Sequence, residues 1–209
     1  MSFDAAYAAL KAQHLEGRVR RFSGSSATVA LAAQELGTAE GAIAKTMALL
    51  GPDGPILVLA AGDRKIDGGS FKRTFHFKPK FVPGTDVEAL VGHAPGGVCP
   101  FGRRDGIPVW LDRSLLSHAE VWPACGDDAS GVRLTPEELY RAAGAIGWCE
   151  VTKSALAKAA EISEAEKQTG MHASERTHPI APNRHRRLPP GLFINPLPAL
   201  NSTLWRPKL

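Results

Sequence analysis

A lone lysine in an apolar segment is the first candidate for chemistry in this chain. Lys45 lies within AIAKTMALL, residues 42–50, whose other members are almost all apolar. On a β-strand its side chain would share a face with Ile43, Met47 and Leu49, towards the core or a pocket. Lysine is seldom buried without a partner, so two interpretations stay open. The side chain either snorkels to solvent, or places its ammonium at a pocket floor to bind a phosphate or polarise a carbonyl.

A glycine-rich loop is the second candidate. The segment HAPGGVCPFG, from His93 to Gly102, has three glycines and two prolines in ten residues. Glycine lets the main chain approach a ligand closely. Successive backbone N–H groups at Gly96 and Gly97 could form an anion nest or an oxyanion hole. A plain connection is the alternative interpretation, because turns rich in glycine and proline are common.

The sequence lacks the signatures of the common catalytic and metal sites. It has no G-x-S-x-G elbow, Walker loop, G-x-G-x-x-G or H-E-x-x-H motif. Asp127 and Asp128 fall in a predicted turn, so no carboxylate pair stands out. Three cysteines without C-x-x-C spacing and scattered histidines predict neither a disulfide scaffold nor a metal site. We therefore expect no metal and no cofactor.

The candidate residues need a scaffold, and the body of the chain alternates helix and strand signals. Gly51-Pro52-Asp53-Gly54 predicts a hairpin turn, and Thr135-Pro136-Glu137-Glu138 is a capping box. Short strands with interspersed helices predict an α+β fold, a mixed sheet curled towards a barrel with surrounding helices. The predicted helices cover 4–14, 26–36 (capped by Ser25 or Ser26), 70–75, 85–91 and 136–143; the predicted strands cover 18–22, 43–50, 56–61, 109–111, 120–124 and 132–134.

Charge and composition divide the chain near residue 153. Residues 1–153 contain 17 Lys and Arg against 17 Asp and Glu, whereas residues 154–209 contain 8 against 4 and supply the whole net charge of +4. The last 56 residues also hold 7 of the 16 prolines. We expect a folded body at 1–153 and a basic, proline-rich tail at 154–209, with a short helix followed by disorder.

A basic cluster lies within the neutral body. Residues 63–80 contain six lysines and arginines against two aspartates. A solvated surface is one interpretation of the cluster, and a phosphate-binding face is the other. The six cations are Arg64, Lys65, Lys72, Arg73, Lys78 and Lys80.

No segment of the sequence predicts contact with a membrane. The longest purely apolar run, Ile56 to Ala61, is far shorter than the roughly 20 residues of a span. The N-terminus lacks a secretory pattern. We expect a soluble, cytoplasmic protein.

Six segments of the body together resemble the YbaK/EbsC-type aminoacyl-tRNA deacylases, relatives of the editing domain inserted in bacterial prolyl-tRNA synthetases. The resemblance runs from about residue 3 to residue 153 and does not cover the tail. Lys45 before a threonine and the Gly96-x-x-x-Pro100 loop match in order and surroundings. The segments are SSATVALAAQELG (25–37), IAKTMAL (43–49), ILVLAAGDRKID (56–67), GHAPGGVCPFG (92–102), VWLD (109–112) and RLTPEEL (133–139).

The resemblance implies a freestanding hydrolase that cleaves the ester between a wrong amino acid and tRNA, typically tRNA for proline. It implies that Lys45 is required and that the loop from Gly96 to Pro100 cradles the aminoacyl carbonyl and positions water. An aminoacyl ester is already activated, so a placed water and a stabilised oxyanion suffice without a triad. Lys45, Gly96 and Gly97 are the expected catalytic residues. The expected substrate-binding residues are Ser25, His93, Val98, Cys99 and Pro100.

The expected partner is a mischarged aminoacyl-tRNA, with prolyl-tRNA synthetase as a candidate protein partner and neither DNA nor a membrane. A non-catalytic tRNA- or synthetase-binding module of the same fold is the alternative, and hydrolysis of another small acyl ester is a third reading. Some family members carry an aspartate just before the strand at 132–134, where this chain has Ser130 and Gly131. The amino acid removed therefore stays open.

Overall fold

The computed structural model describes residues 2–24 and 26–155 of the 209-residue chain. In this part the chain has the mixed α+β fold that the sequence predicts, with five α-helices and eight strands. Helices α1–α5 span Ser2–Lys11, Val29–Leu36, Gly68–Phe75, Gly84–Val91 and Pro136–Ala142. Strands β1–β8 span Val19–Arg21, Ala44–Gly51, Gly54–Ala61, Arg64–Ile66, Val109–Asp112, Ser130–Val132, Gly147–Cys149 and Thr152–Ser154.

A four-stranded mixed sheet, in the order β2-β3-β5-β7, forms the centre of the fold. Strands β2 and β3 make the predicted hairpin, and their antiparallel register sets Lys45 opposite Ala60. Strand β5 pairs in parallel with β3 and with β7. Two smaller sheets pair β1 with β6 and β4 with β8. Among the described residues the strands form three separate sheets and no closed barrel.

Strand β3 is buried on both faces, which fixes its partner β2 in place. Leu57 and Leu59 belong to the larger core cluster, whereas Ile56 and Val58 belong to a second one. Successive side chains of a strand point to opposite faces, so the two clusters cover the two faces of the sheet. A strand held on both sides is a rigid support for a functional side chain on its neighbour.

Two local predictions are wrong. Residues 120–124 form isolated bridges rather than a strand, because Pro123 has no N–H to donate to a ladder. Helix α2 begins later than predicted: Thr28 is its N-cap and accepts a hydrogen bond from Leu31 N at 3.3 Å. Ser26 precedes this cap, and Ser25 lies outside the described residues. The predicted tail also lies outside the described residues, except for Ser154 and Ala155.

Candidate functional site

The ammonium group of Lys45 is held by backbone carbonyls. Lys45 is half-buried on β2, and its Nζ donates to the carbonyl oxygens of Gly62, at 2.9 Å, and of Arg64. Burial lowers the pKa of Lys45; the negative charge of Asp63 opposes this shift and the positive charge of Lys65 adds to it. A lysine ammonium has three donors. Two are used by these carbonyls, and no described residue accepts a hydrogen bond from the third.

The turn between β3 and β4 supplies these carbonyls, and it depends on a glycine. A Cβ on Gly62 would lie 2.1 Å from the Glu40 carbonyl oxygen and 2.5 Å from the Val29 side chain. Only a residue without a side chain lets the turn pack this closely. The turn therefore fixes the position of Lys45 from outside its own strand.

A cavity of about 180 Å³ lies beside Lys45. Its wall is mainly apolar and includes Ala32 and Leu36 of α2 and the indole of Trp122. Trp122 reaches this position because its backbone N–H donates to Ala42 O at 2.8 Å. The volume is below the roughly 300–1,000 Å³ of sites for drug-sized ligands. The polar residues of the wall are Ser26, Thr28, Lys45, Thr46 and Ser130.

Thr46, next to Lys45 on β2, carries a buried hydroxyl group. Thr46 lines the cavity next to Lys45, and its Oγ1 is buried without a hydrogen-bond partner among the described residues. A buried polar atom that lacks a partner costs free energy, on the order of 1–3 kcal/mol.

The glycine-rich loop contributes one edge of the cavity. Ala94-Pro95-Gly96-Gly97 forms a tight turn in which Gly97 N donates to Ala94 O at 3.0 Å, and Gly96 adopts φ +90°. Proline followed by a glycine with positive φ is the signature of a type II turn. Gly96 and Val98 line the cavity. Within the described residues, no hydrogen bond engages the N–H of either one.

Gly97 faces away from the cavity, towards the segment before β6. A Cβ there would lie 2.6 Å from Asp127 Cα and 2.7 Å from Asp127 N. Its N–H is used inside the turn, so the predicted role of Gly97 as an oxyanion donor requires that turn bond to open. The geometry gives Gly97 a packing contact between two loops.

The remaining predicted residues brace the loop from behind. The imidazole of His93 is fully buried, with Nδ1 2.6 Å from Ser2 Oγ of α1 and Nε2 3.6 Å from Cys99 Sγ. Burial lowers the pKa of His93 and raises that of Cys99, so both are neutral near pH 7. The carbonyl of Pro100 accepts from Arg103 Nη1 at 2.6 Å. The structure places none of these three in the cavity wall.

The described residues contain neither a metal-site cluster nor a membrane-spanning helix. No three His, Cys, Asp or Glu side chains in residues 2–24 and 26–155 come together as a metal site would require. No helix of this part is long and apolar enough to cross a membrane.

Comparison with known proteins decides the family. Residues 24–142 match the model of the aminoacyl-tRNA editing domain. The chain belongs to this family. The match confirms the resemblance drawn from the sequence, and it gives the protein a role in aminoacyl-tRNA editing.

Individual relatives of this editing domain agree with the family match. YwhH of Bacillus subtilis (strain 168), an uncharacterised protein, is 42% identical over 139 residues, which make up 66% of this chain and 88% of the relative. A solved structure described as a proposed trans-editing enzyme for prolyl-tRNA synthetase has 30% identity and a TM-score of 0.67, covering 73% of this chain and 98% of its own. The hypothetical protein APE2540 has 29% identity and a TM-score of 0.65, covering 71% and 99%.

The editing domain thus brings together three of the predicted residues, Lys45, Gly96 and Val98, around one cavity. Sequence reasoning missed Thr46 and Trp122. Thr46 could have been found, because a polar residue beside the candidate lysine in an apolar strand carries the same signal as the lysine. Trp122 could not, since its place depends on an irregular segment that pairs with Ala42 and Ala44.

Proposed function

We propose that this editing domain is a freestanding deacylase that hydrolyses the aminoacyl ester of mischarged tRNA, with tRNA for proline as the substrate. The position of Lys45 carries the proposal: a half-buried ammonium with one uncommitted donor lies at the wall of a small cavity. A module that only bound tRNA would have no need for a half-buried cation beside a small, mainly apolar cavity. Translation in the cytoplasm is where such a substrate occurs, and prolyl-tRNA synthetase is the protein partner we propose.

The residues around the cavity suit attack by water on the ester carbonyl. The third N–H of Lys45 would bind the carbonyl or the adjacent phosphate, and the N–H groups of Gly96 and Val98 would receive the developing oxyanion. Water adds to the carbonyl carbon and gives up one proton, the bond between that carbon and the ribose oxygen breaks, and the leaving ribose oxygen takes up the proton.

The size and polarity of the cavity favour a small aminoacyl group. Its volume of about 180 Å³ is walled by alanine, leucine, isoleucine and tryptophan side chains, with hydroxyls at a few points. Such a wall accepts short side chains and excludes long ones by overlap. One methylene group is worth about 10–200-fold in discrimination by a pocket of this kind.

We expect tRNA for proline charged with Ala, Ser, Thr or Cys to be hydrolysed at least ~10-fold faster than the same tRNA charged with Leu or Phe. Single-turnover loss of labelled amino acid from each charged tRNA measures this. If no charged tRNA of this panel is hydrolysed above the uncatalysed rate, the deacylase function is rejected and the non-catalytic module is favoured. Equal hydrolysis of the isolated aminoacyl-adenosine fragment would indicate that the RNA body is incidental.

The rate should fall at alkaline pH. Because burial lowers the pKa of Lys45 below the ordinary value of 10.5, its ammonium group loses the proton at a lower pH than an exposed lysine would. The charged form is the active one here, so kcat/KM is level below that pKa and declines as pH rises through it. The measurement is a pH–rate profile corrected for hydroxide-driven ester hydrolysis. A corrected profile that rises steadily with pH would contradict a role for the ammonium.

A further inference from the structure

A second concavity, of about 420 Å³, shares Lys45 with the cavity described above. We call it the basic groove. It lies along the β4–β8 pair and contains four cationic side chains, two apolar ones and one aromatic ring. Its lining residues are Lys45, Met47, Arg64, Lys65, Ile66, Phe81, Lys153 and Ser154.

Positive charges in the groove face one another. Lys65 of β4 lies directly opposite Lys153 of β8 in the antiparallel register. Like charges directly opposite each other across a strand pair repel and are destabilising. The folded chain tolerates this arrangement, and an anion in the groove would relieve it.

Two carboxylates lie close to the cations of the groove. Asp67 Oδ2 lies 3.6 Å from Lys153 Nζ, and Asp63 Oδ1 lies 3.8 Å from Arg64 Nε. The second distance is too long for a hydrogen bond. Arg64 Nε is buried, and no described residue accepts a hydrogen bond from it. Among the described residues, Arg64 Nε therefore still lacks an acceptor beside the groove.

Phe81 gives the groove an aromatic surface. Its side chain is 55% exposed although its backbone is held to β2 by a bridge to Leu49. A positively charged groove with an exposed aromatic ring is the arrangement that binds single-stranded nucleic acid, because the cations follow the phosphates while bases stack on the ring. An acidic peptide would use the cations but would gain little from the ring.

We propose that the basic groove binds the single-stranded 3′-terminal nucleotides of the RNA substrate, with a base stacked on Phe81 and phosphates against Arg64, Lys65 and Lys153. The proposal deepens the deacylase function and rests on it. Lys45 lines both concavities, so a terminal ribose beside Lys45 would present its ester to the cavity. The chain's own residues 169–209 are a poor occupant, since 6 Lys and Arg against 1 Glu give them the same sign of charge as the groove.

The test uses the full chain and two RNA hairpins that carry no amino acid. Both have the same acceptor stem, but one keeps the single-stranded 3′ nucleotides and the other is blunt. Binding is measured by fluorescence anisotropy at several salt concentrations. The variants are Phe81→Ala, Lys65→Gln and Lys153→Gln, with Lys11→Gln at the exposed end of α1 as the matched control. Hydrolysis of the charged, overhanging hairpin is measured in parallel, so that binding and chemistry are judged separately.

We expect Phe81→Ala to weaken binding of the overhanging hairpin by ~10-fold and to leave blunt-hairpin binding unchanged. Each lysine variant should reduce the salt slope by about one, whereas Lys11→Gln should match the wild type. Equal affinity of the wild type for both hairpins, or no effect of Phe81→Ala, would overturn the proposal even if hydrolysis is intact. Tighter binding of polyglutamate than of the overhanging hairpin, unchanged by Phe81→Ala, would overturn it in favour of an acidic protein partner. Absence of hydrolysis together with Phe81-dependent binding would reject the deacylase and retain the groove.

Discussion

Replacing Lys45 by methionine is expected to slow deacylation by ~100-fold and to leave the fold intact. Methionine keeps most of the apolar stem that packs on β2 but removes all three N–H donors. An electrostatic contact to the reacting carbonyl or to the neighbouring phosphate is worth about 3 kcal/mol at a site of this kind, which corresponds to this factor. Single-turnover hydrolysis of the best charged tRNA measures the rate, and thermal unfolding measures the fold.

Two further variants separate the charge of Lys45 from its geometry. Lys11→Met removes an exposed cation at the end of α1 and should hydrolyse the substrate at the wild-type rate. Lys45→Arg keeps the charge, but a planar guanidinium cannot donate to Gly62 and Arg64 in the same way. We expect partial activity from it, without the alkaline decline. Wild-type turnover by folded Lys45→Met would remove Lys45 from the mechanism.

Gly97→Ala should damage the stability of the protein more than the chemistry of its folded fraction. The added methyl group would lie 2.6 Å from Asp127 Cα and 2.7 Å from the Gly126 carbonyl carbon. Both contacts are with backbone, so one of the two loops must move. Overpacking of this kind costs about 1–3 kcal/mol. A drop in melting temperature of roughly 3–10 °C is the expected readout.

The matched control for this change is Gly84→Ala. Gly84 is the first residue of α4, and a Cβ there has nothing within 4 Å. Its melting temperature should stay at or slightly above that of the wild type. A Gly97→Ala protein as stable as the wild type but ~100-fold slower would contradict the packing role and support an oxyanion contact at Gly97.

The sequence was sufficient to predict the hairpin and the position of Lys45 on its first strand, because local rules decide both. The turn Gly51–Gly54 and the apolar strands on either side specify β2 and β3 without help from the rest of the chain. The capping box at Thr135 is likewise complete in itself, and the structure shows both of its hydrogen bonds. In these places propensity, pattern and tertiary packing all agree.

What the sequence could not supply are features that depend on distant partners. Strands β4 and β8 are three residues each, and their pairing joins segments almost ninety residues apart. The orientation of Gly97 was equally hidden, since the Asp127 backbone behind it belongs to a different loop. His93 drew attention as a histidine in a glycine-rich loop, yet its partners are Ser2 and Cys99 in the interior.

The carbonyl grip on Lys45 also determines how the domain could be transplanted. Arg64, one of the two acceptors, begins β4, and its register partner is Ser154 in β8. The family match ends at residue 142, before β7 and β8. A chimera cut at that limit would keep Lys45 but lose β8, the strand that pairs with β4 and holds the Arg64 carbonyl in place. A chimera that is to keep this site therefore has to include the chain at least as far as Ser154.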